Sequence, residues 1–222
     1  MINGLSTVLF DLDGTLADTA PDLTYAINCA LQAEGRDAVT VDALRPTVSL
    51  GGRAMVHFAF GIDSEHEDFR RIRDQFLETY EANVARETRL FPGMPELLAQ
   101  MESNGLKWGV VTNKSGWLTD PLMEKLNLSQ RADCIVSGDT TPHLKPHPAP
   151  LLHACEQIGA VPAECLYIGD AVRDIQAGNA AGMKTAVALF GYIPVDENPR
   201  DWGADLLLDS PQEISAWLEG ST

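Results

Sequence analysis

The stretch Val8-Leu9-Phe10-Asp11-Leu12-Asp13-Gly14-Thr15-Leu16 constrains the fold more than any other. Thr7 to Phe10 has the length and composition of a buried strand. Side chains alternate along a strand, so Asp11 and Asp13 are expected on one side and Leu12 on the other. Gly14 supplies the turn that ends the strand. Two carboxylates on one side of a strand end repel each other unless a positive charge sits between them. A divalent cation meets that need, and hard oxygen ligands suit Mg²⁺. Taken alone, Asp-x-Asp-Gly is equally a polar turn after a core strand. Its meaning depends on what other strand ends bring to it.

Between residues 16 and 90 nothing reads as a strand. Leu23, Ile27, Ala30 and Leu31 recur at helical spacing before Gly35. Val41 to Leu44 is a short helical piece ahead of Pro46, Gly51-Gly52 opens a helix from Arg53 to Phe60, and Phe69, Ile72, Phe76 and Tyr80 mark a longer one from Glu67 to Val84. From Phe91-Pro92-Gly93 onward the pattern alternates. Strands are expected at Trp108–Thr112, Cys134–Ser137, Cys165–Gly169, Thr185–Leu189 and Leu206–Leu208. Helices are expected at Pro95–Ser103, through Leu122 and Leu126, and at Ala149–Ile158, Val172–Ala181 and Pro211–Leu218. Alternation of this kind means a parallel α/β sheet covered on both faces, and such sheets bind ligands at the carboxyl ends of their strands.

Three further strand ends or loops carry candidate chemistry. Thr112-Asn113-Lys114 offers a hydroxyl, an amide and an ammonium, all phosphate-binding groups, or else a polar cap on the next helix. Lys145 lies in a stretch stiffened by Pro146 and Pro148, where it either fixes anionic oxygens or is one more surface lysine; His143 and His147 beside it are weaker candidates. Gly169-Asp170-Ala171-Val172-Arg173-Asp174 ends a strand with one acid and opens a helix with another. One carboxylate there completes an oxygen site with Asp11; as plain structure, Asp170 is a helix cap and Asp174 pairs with a surface base.

The net charge of −16 argues against nucleic acid or an anionic membrane as partner. No stretch has the about 18 consecutive apolar residues of a membrane span, and Met1-Ile2-Asn3-Gly4 lacks a signal-peptide pattern, so a cytoplasmic protein is expected. Cys29, Cys134, Cys155 and Cys165 show neither disulfide-framework nor zinc spacing.

In order and spacing, Asp11-Leu12-Asp13-Gly14-Thr15, Val110-Val111-Thr112-Asn113, Lys145-Pro146 and Gly169-Asp170 with Asp174 resemble the four motifs of the haloacid dehalogenase superfamily, over nearly the whole chain. The resemblance implies a Rossmann-like parallel-sheet core, HAD-like, over residues 1–16 and 90–222, with a small helical cap domain inserted over 17–89. It implies a Mg²⁺-dependent phosphomonoesterase acting on a small phosphorylated metabolite, as monomer or homodimer. Asp11 would be the nucleophile that becomes an aspartyl phosphate, and Asp13 the acid–base residue, oriented by Thr15. Mg²⁺ would be held by Asp11, the backbone carbonyl of Asp13 and Asp170, with Asp174 in support. Thr112, the Asn113 backbone and Lys145 would hold phosphoryl oxygens. Asp13 favours phosphoryl chemistry, because the superfamily's dehalogenases lack it.

The chain is most similar to phosphoglycolate phosphatases. Phe91 to Leu98, and Gly191-Tyr192-Ile193 through Trp202 to Asp205, bring it closer to the N-acetylmuramic acid 6-phosphate phosphatases of peptidoglycan recycling. Ser49 to Met55, with Gly52 and Arg53, is the clearest cap device for a substrate carboxylate, since helix N-termini and arginine both favour anions. Three other readings stay open: a β-phosphoglucomutase-like phosphoryl transferase, a receiver-type signalling module, and a non-catalytic binding protein on the same fold. A receiver lacks both the Asp-x-Asp-Gly-Thr order and the helical insertion. A dead relative is expected to have lost one of Asp11, Asp13, Lys145 or Asp170, and all four are present.

Overall fold

A computed structural model describes residues 4–219. In chain order its strands are β1 (Thr7–Phe10), β2 (Ala17–Asp18), β3 (Arg89–Leu90), β4 (Lys107–Val111), β5 (Cys134–Val136), β6 (Cys165–Gly169), β7 (Lys184–Ala188) and β8 (Leu206–Leu208). Helices α1 (Ala20–Ala33), α2 (Val41–Val48), α3 (Gly52–Phe60) and α4 (Phe69–Ala82) lie between β2 and β3. After β3 come α5 (Met94–Ser103), α6 (Gly116–Lys125), α7 (Ala149–Ile158), α8 (Val172–Ala181) and α9 (Pro211–Glu219). Six strands form one parallel sheet in the order β5-β4-β1-β6-β7-β8. This is the α/β architecture that the alternating pattern predicts.

The sheet is buried on both faces, which is why its strands read as continuous apolar runs. Val8 and Phe10 of β1 join one apolar cluster with Trp108 and Val110 of β4 and Leu166 and Ile168 of β6. Leu9 joins the other with Val111 and Tyr167. Adjacent residues thus enter opposite layers, as a period of two requires. Leu151, Ala154 and Ile158 of α7 and Ala177 of α8 cover the second face. The first face is covered by α5 and α6, and its cluster continues without a break into Leu23, Ile27, Leu44 and Phe76 of α1, α2 and α4.

The register lines up the strand ends. Phe10 pairs with Val110 on one side and Ile168 on the other, so Asp11 follows directly where both neighbours also end. The chain runs outward from β1 through β4 to β5, then returns to β6 on the other side of β1. That reversal between β1 and β6 is a topological switch point, where an open α/β sheet leaves a crevice at its carboxyl edge.

Two expectations need correction. The second helix does not stop ahead of Pro46 but runs through it to Val48. Leu44 and Val48 are both buried on one face, and the carbonyl deprived of its hydrogen bond by the proline belongs to exposed Asp42. Strands also occur where none was read: β2 and β3 pair antiparallel, Ala17 with Leu90 and Asp18 with Arg89. Two residues each are too short to leave a periodic signal. Buried Asp22 of α1 ties this crossing down, accepting from the Glu87 N–H (2.8 Å), the Thr88 N–H (2.9 Å) and the Thr88 hydroxyl (2.7 Å). Other element ends shift by a residue or two, within the ordinary fraying of boundaries.

Candidate active site

Asp11 stands at the carboxyl end of β1, its N–H bonded to the Ile168 carbonyl of β6 at 2.8 Å. Its Oδ1 accepts from the Leu12 N–H at 2.7 Å and lies 3.0 Å from Lys145 Nζ. Its Oδ2 has no hydrogen-bond donor among the described residues. The next turn depends on Gly14, whose φ is +83°, a region side chains disfavour. A Cβ there would fall 2.1 Å from Asp170 Oδ2 and 2.7 Å from the Tyr192 ring. The glycine is needed for conformation and for room together.

Asp11, Asp170 and Asp174 converge from β1, the end of β6 and the first turn of α8, with one carboxylate oxygen of each within 4.8 Å of the others, all buried. Lys145 answers two of them. Its ammonium is fully buried, 3.0 Å from Asp11 Oδ1 and 2.7 Å from Asp174 Oδ1, and it donates to the Val111 carbonyl and the Tyr167 hydroxyl. Burial raises the Asp174 carboxyl above its usual range despite Lys145. Burial also pushes the Tyr167 hydroxyl well up, so it stays protonated and donates to the Val111 carbonyl.

Among the described residues, no cation forms an ion pair with Asp170. Its partners are the Thr15 hydroxyl (3.4 Å), the Ser49 hydroxyl (2.7 Å) and the Tyr192 N–H (2.8 Å). Burial, with Asp11 and Asp174 nearby, raises it to about 7. A cluster of hard oxygen donors, buried and with one member short of positive charge, fits a divalent cation of the Mg²⁺ type.

The Asp13 side chain is engaged away from that cluster. Its Oδ1 accepts from Lys114 Nζ at 2.9 Å and the Thr19 hydroxyl at 2.5 Å. Thr15, expected to orient Asp13, donates instead to Asp170, because the turn after Gly14 directs it towards β6. Lys114 also lies 4.5 Å from the ring centroid of Tyr80 on α4, so one ammonium links β4's end to the helical block. Burial opposes the Lys114 charge, but Asp13 and Tyr80 together more than offset it and hold the ammonium charged. Burial pushes the Tyr80 hydroxyl up to about 12.

Thr112 is buried at the end of β4. The Asn113 side chain is fully occupied by the Lys145 backbone, donating to its carbonyl and accepting from its N–H at 3.0 Å each. It staples the Lys145 loop to β4. A cavity of about 910 Å³ opens over this edge. Asp11, Asp13, Thr112 and Asn113 line it from the sheet; Ser49, Gly52 and Arg53 line it from the helical block. In the loop before α3 the conformational demand falls on Gly51, with φ +88°, whereas a Cβ on Gly52 would make ordinary contacts with Phe76 and Leu77. Arg53 is exposed and donates to the Ser64 hydroxyl.

His143 and His147 are exposed and stack on each other, 4.2 Å between centroids, outside the cavity wall. Cys29 does not line the cavity, and Cys134, Cys155 and Cys165 are buried free thiols. Sequence reasoning passed over Thr19, Tyr192 and Arg173 as site residues, placed Ser49 only at the head of the cap loop before α3, and left Lys114 as one of three groups. Thr19 and Ser49 flank helix ends, where a hydroxyl carries no sequence mark of a long-range partner. Tyr192 lies in a loop with no periodic pattern, yet it donates to Asp18 at 2.6 Å and its N–H holds Asp170.

Comparison with known proteins places the chain in a family. The family model described as haloacid dehalogenase-like hydrolase matches residues 8–188. The chain is 43% identical over 217 residues to the N-acetylmuramic acid 6-phosphate phosphatase of Pseudomonas putida, covering 98% of this chain and 97% of that one. It is 41% identical over 214 residues to the phosphoglycolate phosphatase of Xanthomonas campestris pv. campestris, covering 95% and 96%. Among solved structures, a predicted phosphoglycolate phosphatase from Haemophilus somnus superposes with a TM-score of 0.85 at 25% identity, covering 96% of this chain and 97% of that one. By motif, fold and sequence, the chain belongs to the haloacid dehalogenase-like hydrolase family.

Proposed function

We propose that this phosphoric monoester hydrolase transfers the phosphoryl group of a small, carboxylate-bearing metabolite to Asp11 and then to water, with Mg²⁺ as cofactor. The observation that carries the reading is Asp11 itself: one oxygen is oriented by Leu12 and Lys145 while the other is left without a donor, at the wall of the cavity. A carboxylate is ionised near neutral pH and attacks phosphorus without a base to activate it. Lys145 and Thr112 stabilise charge as it develops on the phosphoryl oxygens. Asp13 protonates the leaving alcohol and afterwards takes a proton from the attacking water. Bound between Asp11, the Asp13 carbonyl and Asp170, with Asp174 in support, Mg²⁺ would supply neutralisation of the phosphoryl charge.

Residues 17–89 act in this reading as a cap over a core of residues 1–16 and 90–222. Arg53, at the start of α3, takes the substrate carboxylate. The cavity favours a hexose-sized ester such as N-acetylmuramic acid 6-phosphate, because a two-carbon acid would leave most of about 910 Å³ to water. Phosphoglycolate is the smaller alternative that the same clamp accepts.

The test is phosphate release from phosphoglycolate, N-acetylmuramate 6-phosphate, glucose 1-phosphate and a nucleotide, with and without Mg²⁺, for wild type and Asp11→Asn. Mg²⁺-dependent release is expected, with Asp11→Asn below about one thousandth of wild type. Turnover surviving in Asp11→Asn removes the covalent mechanism. Higher kcat/KM on phosphoglycolate than on the sugar acid ester overturns the size argument.

A further inference from the structure

Arg173 is the second residue of α8, between Asp170 and Asp174 on the turn that bears both acids. A cation in a helix's first turn opposes the macrodipole, which favours anions there. Arg173 lines the same cavity as Asp11 and Thr112. Its Nε is buried without a hydrogen-bond partner, and the guanidinium forms no ion pair among the described residues. The other arginines and the lysine of the cavity wall are engaged: Lys114 with Asp13, Arg73 with Asp74, and Arg53 with Ser64. Burial weakens the charge of Arg173, yet Asp174, Asp11 and Asp170, in that order, hold it on.

A buried donor without a partner is costly, and a guanidinium more so than a neutral group. An arriving oxyanion removes that cost, and a planar fork of N–H donors matches the edge of a phosphate. We propose that Arg173 is a phosphoryl-binding residue, donating to oxygens of the transferred group beside Asp11. The inference rests on the phosphatase reading and adds a ligand to it. The phosphoryl group is favoured over a leaving-group carboxylate because Arg173 sits on the turn that carries the acid cluster, whereas Arg53 and Arg73 come from the helical block.

Binding of inorganic phosphate, in the presence of Mg²⁺ and measured by calorimetry, tests this in wild type, Arg173→Gln and Arg173→Lys. The expected result is a phosphate dissociation constant raised tenfold or more in Arg173→Gln, with an intermediate value in Arg173→Lys. KM should rise alike for acidic and neutral esters. Mg²⁺ affinity should hold or tighten, because a cation beside the metal has been removed. Phosphate affinity unchanged, with only stability or Mg²⁺ affinity altered, makes Arg173 a neutraliser of the acids and overturns the proposal. A KM rise confined to carboxylate-bearing esters reassigns it to the leaving group and overturns it equally. Should Arg173→Gln fail to fold, a phosphate affinity in Arg173→Lys within twofold of wild type has the same force. Wild type that neither binds phosphate nor releases it from any ester points instead to failure of the phosphatase reading.

Discussion

Lys145 shows how one side chain fixes the state of several others. Its ammonium touches Asp11, Asp174, Tyr167 and the Val111 carbonyl with no exposure to water. A buried ion cluster contributes little net stability when intact, but removing one sign leaves the other uncompensated. Lys145→Met should therefore cost about 3–5 kcal/mol of unfolding free energy in urea at neutral pH without Mg²⁺. A loss under about 1 kcal/mol would mean that the acids simply take up protons instead. Gly14 is the second such position. Gly14→Ala should cost about 1–3 kcal/mol from backbone strain and lower turnover more than a hundredfold, since the new methyl meets Asp170 at 2.1 Å. Near-normal kinetics in that variant would show that the turn has a second conformation.

At the scale of elements, the crossing between sheet and helical block carries a buried polar tie beside its apolar packing. Asp22 accepts three hydrogen bonds from Glu87 and Thr88 while wholly buried. Asp22→Ala orphans those donors, at about 1–3 kcal/mol each if they stay buried. Amide exchange offers the local readout: the Glu87 and Thr88 N–H groups should lose protection in the variant while β1 and β6 amides keep theirs. Uniform loss across the sheet would mean that block and sheet unfold as one unit, a result the continuous apolar cluster makes worth testing. At the sheet's far side, Asp205 bonds Lys184 at 2.6 Å and the Thr185 N–H at 2.9 Å. Burial raises its pKa, but Lys184 and Thr185 bring it below the usual 3.8. Its contribution is thus present above about pH 4 and is lost as pH falls through the lower folded value. Asp205→Asn should be less stable than wild type at pH 6, and the gap should close by about pH 2. A gap that persists in acid would assign the effect to packing.

At the scale of the whole molecule, three buried acids, Asp11, Asp170 and Asp174, converge from separate elements at the carboxyl edge of the sheet. Burial, with Asp11 and Asp174 nearby, pushes Asp170 to about 7, and the hydrogen bonds from Ser49 and Tyr192 only partly oppose that rise. A ligand that binds only the folded state stabilises it, by about 2.7 kcal/mol at a hundred times its dissociation constant. Mg²⁺ at that excess should raise Tm by roughly 5–10 °C for a chain of this length. Asp170→Asn should abolish the rise, while Asp205→Asn leaves it intact. An equal rise in Asp170→Asn would place the ion elsewhere.

The sequence alone determined what local pattern can encode. The apolar run into Asp11, the alternation of strands and helices after Phe91 and the helical block before it specify a parallel sheet with acids and Lys145 at its carboxyl edge. Burial on both faces writes the strands as unbroken apolar runs, and period and turn residues write the helices. Pairings between distant residues leave no such mark. Only the tertiary structure decided that Thr19 holds Asp13 while Thr15 turns to Asp170, that Ser49 crosses from the helical block to the same acid, and that β2 meets β3. A threonine after a glycine turn has no sequence feature that says which of two carboxylates its hydroxyl will reach. That choice depends on strand register and packing, summed over contacts from the whole chain.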